Sequence, residues 1–188
     1  MRKVIFGGAN SLDNYIARKD DAVDWIMWGD EAAAVMADYW KKFDTILMGR
    51  KTFEVAVGMS KGRGKSKSKG QGKAKRDPFP GMKSFVFSRT LKQSADDSIE
   101  IIADDAAGFV RKLKSEEGKD IYLMGGGEFA RTLFDADLID EIEFNIHPVL
   151  LGSGIPLFLE MTQQIDLELL ECKALKNGCV LVTYRVKH

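Results

Sequence analysis

Short, mainly apolar runs alternate with stretches in which apolar residues recur at helical spacing, and this alternation organises the first two-thirds of the chain. The runs at residues 4–9, 45–48, 84–88, 99–102 and 121–124 read as strands buried on both faces, because a strand covered on one face only would alternate apolar with polar residues. Helical patterns lie between them. One takes Asp30 as its N-cap and runs to about Phe43, with Val35, Met36, Tyr39, Trp40 and Phe43 as its apolar stripe. A short helical start follows at Phe53-Glu54-Val55. Another helix covers about 106–117 through Phe109, Val110 and Leu113, and a further one 128–134. Residues 11–14 read as a turn and 15–17 as a loop over the sheet edge.

The last third changes period. Residues 141–151 read as one long strand, alternating through Ile146, and 152–156 as a loop. Residues 167–175 and 179–186 form a hairpin around Asn177-Gly178. This order predicts an α/β fold of three αβα layers: a mostly parallel twisted sheet, helices on both faces, and antiparallel C-terminal strands. One domain spanning 1–188 is expected. A two-residue turn pairs Lys176 with Cys179 and Cys172 with Thr183, which keeps the two cysteines apart and reduced.

In open α/β sheets ligands bind beyond the carboxyl ends of the strands. Polar junctions stand at those ends: Gly49-Arg50-Lys51-Thr52, Ser88-Arg89-Thr90-Leu91 and Gly125-Gly126-Gly127-Glu128. Residues without side chains let a ligand approach the backbone, and a helix N-terminus favours an anion such as phosphate, but three glycines serve a bare strand-to-helix turn equally well. Arg50 and Thr52 suit phosphate oxygens. The small residues Gly7, Gly8 and Ala9 would admit a flat group or a closely packed helix. Trp25 and Trp28 fall outside the helical period and could line a pocket or plug one end of the fold.

Composition narrows the class. Of the 188 residues 45% are hydrophobic and 30% charged, a globular balance. No apolar stretch approaches the roughly 18 residues of a membrane span. The opening Met-Arg-Lys-Val-Ile-Phe-Gly-Gly is too short in its apolar part for a signal peptide, so a cytoplasmic enzyme or binding protein is expected. Net charge is zero, yet residues 61–76 carry eight Lys or Arg and no acid, leaving 20 basic against 28 acidic residues elsewhere, net −8. An acidic body argues against a nucleic-acid partner. The lysine- and glycine-rich segment 60–76 is too polar to fold and is expected as a flexible surface insert able to attract anions. Nothing has metal-ligand spacing, and His147 and His188 are isolated.

Taken in order, Ser11-Leu12-Asp13 with Ile16-Ala17, Ile46-Leu47-Met48-Gly49-Arg50-Lys51-Thr52-Phe53, Val86-Phe87-Ser88-Arg89-Thr90-Leu91, Gly125-Gly126-Gly127-Glu128, and Leu138-Ile139-Asp140-Glu141 running on to Pro148-Val149-Leu150-Leu151-Gly152-Ser153-Gly154 resemble the dihydrofolate reductase-like superfamily. The closer resemblance is to the C-terminal reductase domain of the bifunctional riboflavin-biosynthesis deaminase/reductase. It implies binding of NADPH. Arg50, Lys51 and Thr52 after Gly49 would hold the pyrophosphate. Ser88 and Arg89, with Thr90, would face the adenosine 2′-phosphate. Met124, Gly125, Gly126, Gly127, Glu128 and Phe129 would lie along the dinucleotide, and the nicotinamide would enter between Ala9 and Ile16. The family's unusual peptide geometry within the glycine pair raises the expectation of a cis bond between Gly125 and Gly126.

The activity implied is hydride transfer from NADPH to a small heterocyclic substrate, similar to that of 5-amino-6-(5-phosphoribosylamino)uracil reductase. Candidate substrate contacts are Asn10, Asp13, Trp28 and Glu31. Dihydrofolate reductases place a carboxylate on the helix before the Gly-Arg strand, where this chain has Ala33. Glu31 and Asp38 are the nearest acids, so Glu31, Asp38 and Asp13 are the catalytic candidates. A dihydrofolate reductase using one of them, and a non-catalytic nucleotide-binding or interaction module, are the alternatives. The exposed edge of the C-terminal strands and the family's habit of pairing make a homodimer the expected assembly.

Overall fold

A computed structural model describes residues 1–63, 79, 81–91 and 98–188, so most of the lysine-rich insert lies outside the described residues. Among them, eight strands form one sheet: β1 (Val4–Ser11), β3 (Phe43–Gly49), β4 (Lys83–Phe87), β5 (Ile99–Ile102), β6 (Asp120–Met124), β7 (Glu141–His147), β9 (Leu167–Ala174) and β10 (Val180–Val186). The spatial order is β5-β4-β3-β6-β1-β7-β10-β9. Every pair from β5 to β7 is parallel, while β10 runs antiparallel to both its neighbours.

The buried parallel strands send side chains into two cores. Val4, Phe6, Leu47, Phe85, Ile121 and Leu123 pack against α3 (Ala106–Ser115) and α4 (Gly127–Phe134). Ile5, Ile46, Met48, Val86 and Tyr122 face the layer of α1 (Asp30–Tyr39) and α2 (Arg50–Arg63). The three-layer α/β fold expected from the period of the sequence is the one observed. At the amino ends of the strands the buried Arg2 joins three elements, bonding Asp44, Thr45 and the Lys119 carbonyl oxygen.

Several local readings change. Gly29, not Asp30, caps α1, and it does so without a side-chain hydrogen bond. That helix ends at Tyr39, and Phe43 is the buried first residue of β3. Of α1 only Ala32 is buried, with Val35 and Met36 half-exposed. α2 is longer than the expected short start and reaches Arg63, four residues into the segment 60–76 read as flexible. Residues 15–17 form β2 (Tyr15–Ala17), paired with β8 (Ile155–Pro156) inside the predicted 152–156 loop. β7 stops at His147 because Pro148 offers no N–H to continue a ladder. The hairpin turns on three residues, since Leu175 N–H donates to Cys179 O and Gly178 N–H to Leu175 O, and Cys172 therefore faces Val182 rather than Thr183. Cys172 is exposed and Cys179 buried, both free thiols. No peptide bond among the described residues is cis, so the expected cis glycine pair is absent.

Candidate active site

A cavity of about 1140 Å³ opens where β1, β3, β4, β5 and β6 end, the position a doubly wound sheet reserves for ligands. α2, α3 and α4 all begin at its wall, so three sets of first-turn N–H groups and three positive helix ends converge there. The start of α4 is open, because its cap is Gly126, which makes no side-chain hydrogen bond.

Each junction residue expected to touch a cofactor lines this cavity: Ala9 and Ile16, the 49–52 turn, Ser88, Arg89 and Thr90, and the run from Met124 through Phe129. Their surroundings differ. Arg50 makes two hydrogen bonds of 2.9 Å to the Glu54 carboxylate, an exposed pair one helical turn apart. The Ser88 hydroxyl accepts from Leu91 N–H at 3.0 Å and folds that turn. Gly125 stands at φ +117, and a Cβ there would lie 2.2 Å from Thr52 Oγ1, so the Thr52 hydroxyl rests directly on the glycine backbone. A Cβ on Gly126 would come within 3.2 Å of Ile16 Cδ1.

The four substrate candidates do not line it. Asn10 is buried and donates to Ser11 O and Asn14 Oδ1. Asp13 accepts from Leu151 N–H at 3.1 Å and Gly152 N–H at 2.7 Å, and its bond from the Ser11 hydroxyl holds its carboxyl below the usual carboxylate range. It ties the end of β1 to the loop after β7. Glu31 accepts from Lys176 N–H at 2.8 Å, fastening α1 to the C-terminal hairpin. Trp28 is 68% exposed, and Asp38 pairs with Lys41 at 2.7 Å on the outer side of α1. Trp25 is buried edge-on against the His147 ring, 5.3 Å between centroids.

Sequence reasoning marked the small residues of β1 and passed over Tyr122, which lines the cavity with them. Tyr122 lies across β1: a Cβ on Gly7 would come within 2.7 Å of its ring and 3.0 Å of its hydroxyl, which is why that position is glycine. Behind it β7 is two-sided. Ile142, Phe144 and Ile146 alternate with Glu141, Glu143, Asn145 and His147, so the α1 side of this strand is polar. Burial raises the Glu143 carboxyl above its usual range, against the Lys42 ammonium at 3.6 Å, and burial likewise raises the Tyr39 and Tyr122 phenols, which stay protonated. Asp21, Val23 and Ile26 close one side of the cavity, and Ile102 to Ala107 close the far end. That end was legible as a strand terminus.

The Val23–Ile26 wall is held from behind by His147. Met27 N–H donates to Nδ1 at 3.2 Å, Nε2 lies 3.2 Å from the Asn145 amide nitrogen, and Cys179 Sγ lies 3.3 Å from Nδ1. Burial lowers the imidazole pKa. A His lowered in the folded state keeps its stabilising effect above the unfolded value of about 6.5 and loses it as pH falls below that value, because the unfolded chain then binds the proton first. Melting temperature should therefore drop more steeply between pH 7.5 and 5 in the native protein than in His147→Gln, as read by circular dichroism. Parallel pH profiles would remove His147 from this role.

The RibD C-terminal domain model matches residues 2–181, nearly the whole chain. The chain belongs to the RibD C-terminal domain family. A relative, the uncharacterized protein YyaP of Bacillus subtilis strain 168, is 33% identical over 185 residues, covering 97% of this chain and 94% of the relative. Among solved structures, a putative riboflavin biosynthesis protein from Shewanella sp. PV-4 superposes with a TM-score of 0.79 at 22% identity, all of both chains covered. A dihydrofolate reductase from Enterococcus faecalis, complexed with NADP(H) and RAB-propyl, superposes at 0.66 and 15% identity, covering 99% of this chain and 97% of that one. The likeness to both solved structures is one of fold, which this chain shares with dihydrofolate reductase. No helix among the described residues is long and apolar enough to cross a membrane, and no cluster of His, Cys, Asp or Glu among them could hold a metal.

Proposed function

We propose that this RibD-family protein is an NADPH-dependent reductase that delivers hydride to a small heterocyclic substrate, in the manner of 5-amino-6-(5-phosphoribosylamino)uracil reductase. The observation that carries the reading is the continuity of one cavity. It joins an uncapped helix start and the cations Arg50, Lys51 and Arg89 to the small residues Gly7, Gly8 and Ala9 of β1, with the Tyr122 ring against Gly7.

The residues present fit the cofactor. The first turn of α4 offers N–H groups that no side chain satisfies, and the Gly125–Thr52 contact leaves no bulk between that helix start and the 49–52 turn, so a pyrophosphate can lie across both. Arg89 and Ser88, which line the cavity, would face the adenosine end, and Ile16 with Ala9 would flank the nicotinamide. When bound, NADPH supplies the hydride. The chain's own work is to position and to exclude water: Ile16, Leu157 and Phe144 give apolar walls, while the neutral Tyr122 phenol lines the cavity without adding charge. The dihydrofolate reductase alternative would need an acid from α1 in the cavity, and Glu31 and Asp38 are both committed elsewhere.

Titrating NADPH into the protein should quench tryptophan fluorescence saturably in the micromolar range, and free 2′,5′-ADP should compete. Absence of a saturable change at high micromolar NADPH would sink the cofactor reading. A screen of reducible pterins, pyrimidines and carbonyl compounds, following loss of NADPH absorbance, then tests the substrate class.

A further inference from the structure

We propose that Asp104 sets the choice between a 2′-phosphate and a 2′-hydroxyl at the adenosine end of the cavity, acting against Arg89. The inference rests on the dinucleotide reading above. β4 and β5 run parallel, their last paired rung is Phe87 with Ile102, and Ser88 N–H donates to Ile102 O at 2.9 Å, so the two chains leave the sheet side by side. Arg89 and Asp104 are each the second residue beyond that rung. Both are exposed and both line the cavity.

Opposite charges so placed would ordinarily bridge. Here neither makes an ion pair or a hydrogen bond with any described residue. The adjacent acid is employed differently: Asp105 takes a left-handed φ of 46° and its carboxylate accepts from Gly108 N–H at 3.0 Å, capping α3. Asp104 has no such duty: its carboxylate, like the Arg89 guanidinium, makes no hydrogen bond or ion pair with a described residue, and both follow the strand ends at the rim where the ribose would lie.

The two groups read the same atom in opposite senses. A guanidinium binds a phosphate through charge-assisted hydrogen bonds, whereas a carboxylate repels phosphate and accepts from a ribose hydroxyl. A site holding only the cation would select the phosphorylated dinucleotide strongly. This one, carrying both, narrows that selection, and Asp104 is the residue responsible.

Equilibrium titrations of NADPH and NADH, each followed by tryptophan fluorescence, test this on the native protein, Asp104→Asn and Arg89→Gln. Asp104→Asn should tighten NADPH and not NADH, raising the NADPH-to-NADH affinity ratio about tenfold at low salt, with the gain shrinking as salt screens the charge. Arg89→Gln should move the ratio the other way. If the native protein binds both dinucleotides and the ratio is unchanged in Asp104→Asn, the proposal is overturned while the cofactor reading stands. If the native protein binds neither, both fall together. Asp104 is exposed and makes no hydrogen bond or ion pair with a described residue, so a matching melting temperature certifies that the variant is folded.

Discussion

Gly125→Ala is expected to abolish measurable NADPH binding and to lower stability by about 3 kcal/mol. Two independent costs meet at this residue. Its φ of +117 lies where side chains are rarely tolerated, a strain of about 1–3 kcal/mol. The added methyl would also sit 2.2 Å from Thr52 Oγ1 and 3.1 Å from Thr52 Cβ, an overlap that forces β3–α2 and β6–α4 apart at a further cost of about 1–3 kcal/mol. Because those two junctions are where a pyrophosphate would lie, a shift there removes the backbone donors from reach. Urea denaturation reads the stability and fluorescence titration the affinity. Adding Thr52→Ala to Gly125→Ala relieves the overlap but not the dihedral strain, so the double variant should recover part of the stability. Gly49→Ala is the contrast: a Cβ there meets nothing within 4 Å, and stability should be unchanged. A Gly125→Ala protein as stable as the native one would show that the junction is soft and the contact incidental.

This contrast also marks what the sequence could convey. The glycine junctions, the strand ends and the helix starts are local in character, written in runs such as Gly49-Arg50-Lys51-Thr52, and the parallel sheet then brings them to one edge because every strand from β5 to β7 points the same way. Side chains whose task is decided by a distant partner were not legible. Asp13 looked like a substrate acid until the loop after β7 delivered the N–H groups of Leu151 and Gly152 to it. Glu31 looked like a catalytic carboxylate until the hairpin placed Lys176 N–H against it. Tyr122 was hidden by the opposite error. In an apolar strand it reads as core, and only the absence of a side chain at Gly7 across the sheet shows why the ring lies over that glycine. The polar face of β7 was visible as alternation, but alternation alone cannot say that Glu143 lies beneath a helix rather than in water.

Lys114→Met should cost about 2–3 kcal/mol, far from the cavity and without effect on intrinsic ligand affinity. Lys114 is 4% exposed near the end of α3, yet it ends in a charge. Its ammonium reaches Asp140 Oδ2 at 2.6 Å and the Leu138 carbonyl at 3.1 Å. Asp140 in turn accepts from Val4 N–H at 2.7 Å and, through its backbone, bonds Val4 O and Val186 N–H, so this one residue, by carboxylate and backbone together, ties α3 to the starts of β1 and β7 and the end of β10. Methionine fills the stem's volume but leaves Asp140 and the Leu138 carbonyl without their donor, and removing one partner of a buried pair costs more than removing both. The Asp140 side chain is 29% exposed, which lets water repay part of the loss and sets the expected cost at the lower end for such pairs. The urea midpoint should fall with an unchanged slope. The double variant Lys114→Met with Asp140→Asn should be more stable than the sum of the two single losses predicts, because the uncompensated charge is gone. Strict additivity would mean that the two groups are held by their separate backbone partners, and that the short contact between them adds nothing to the fold.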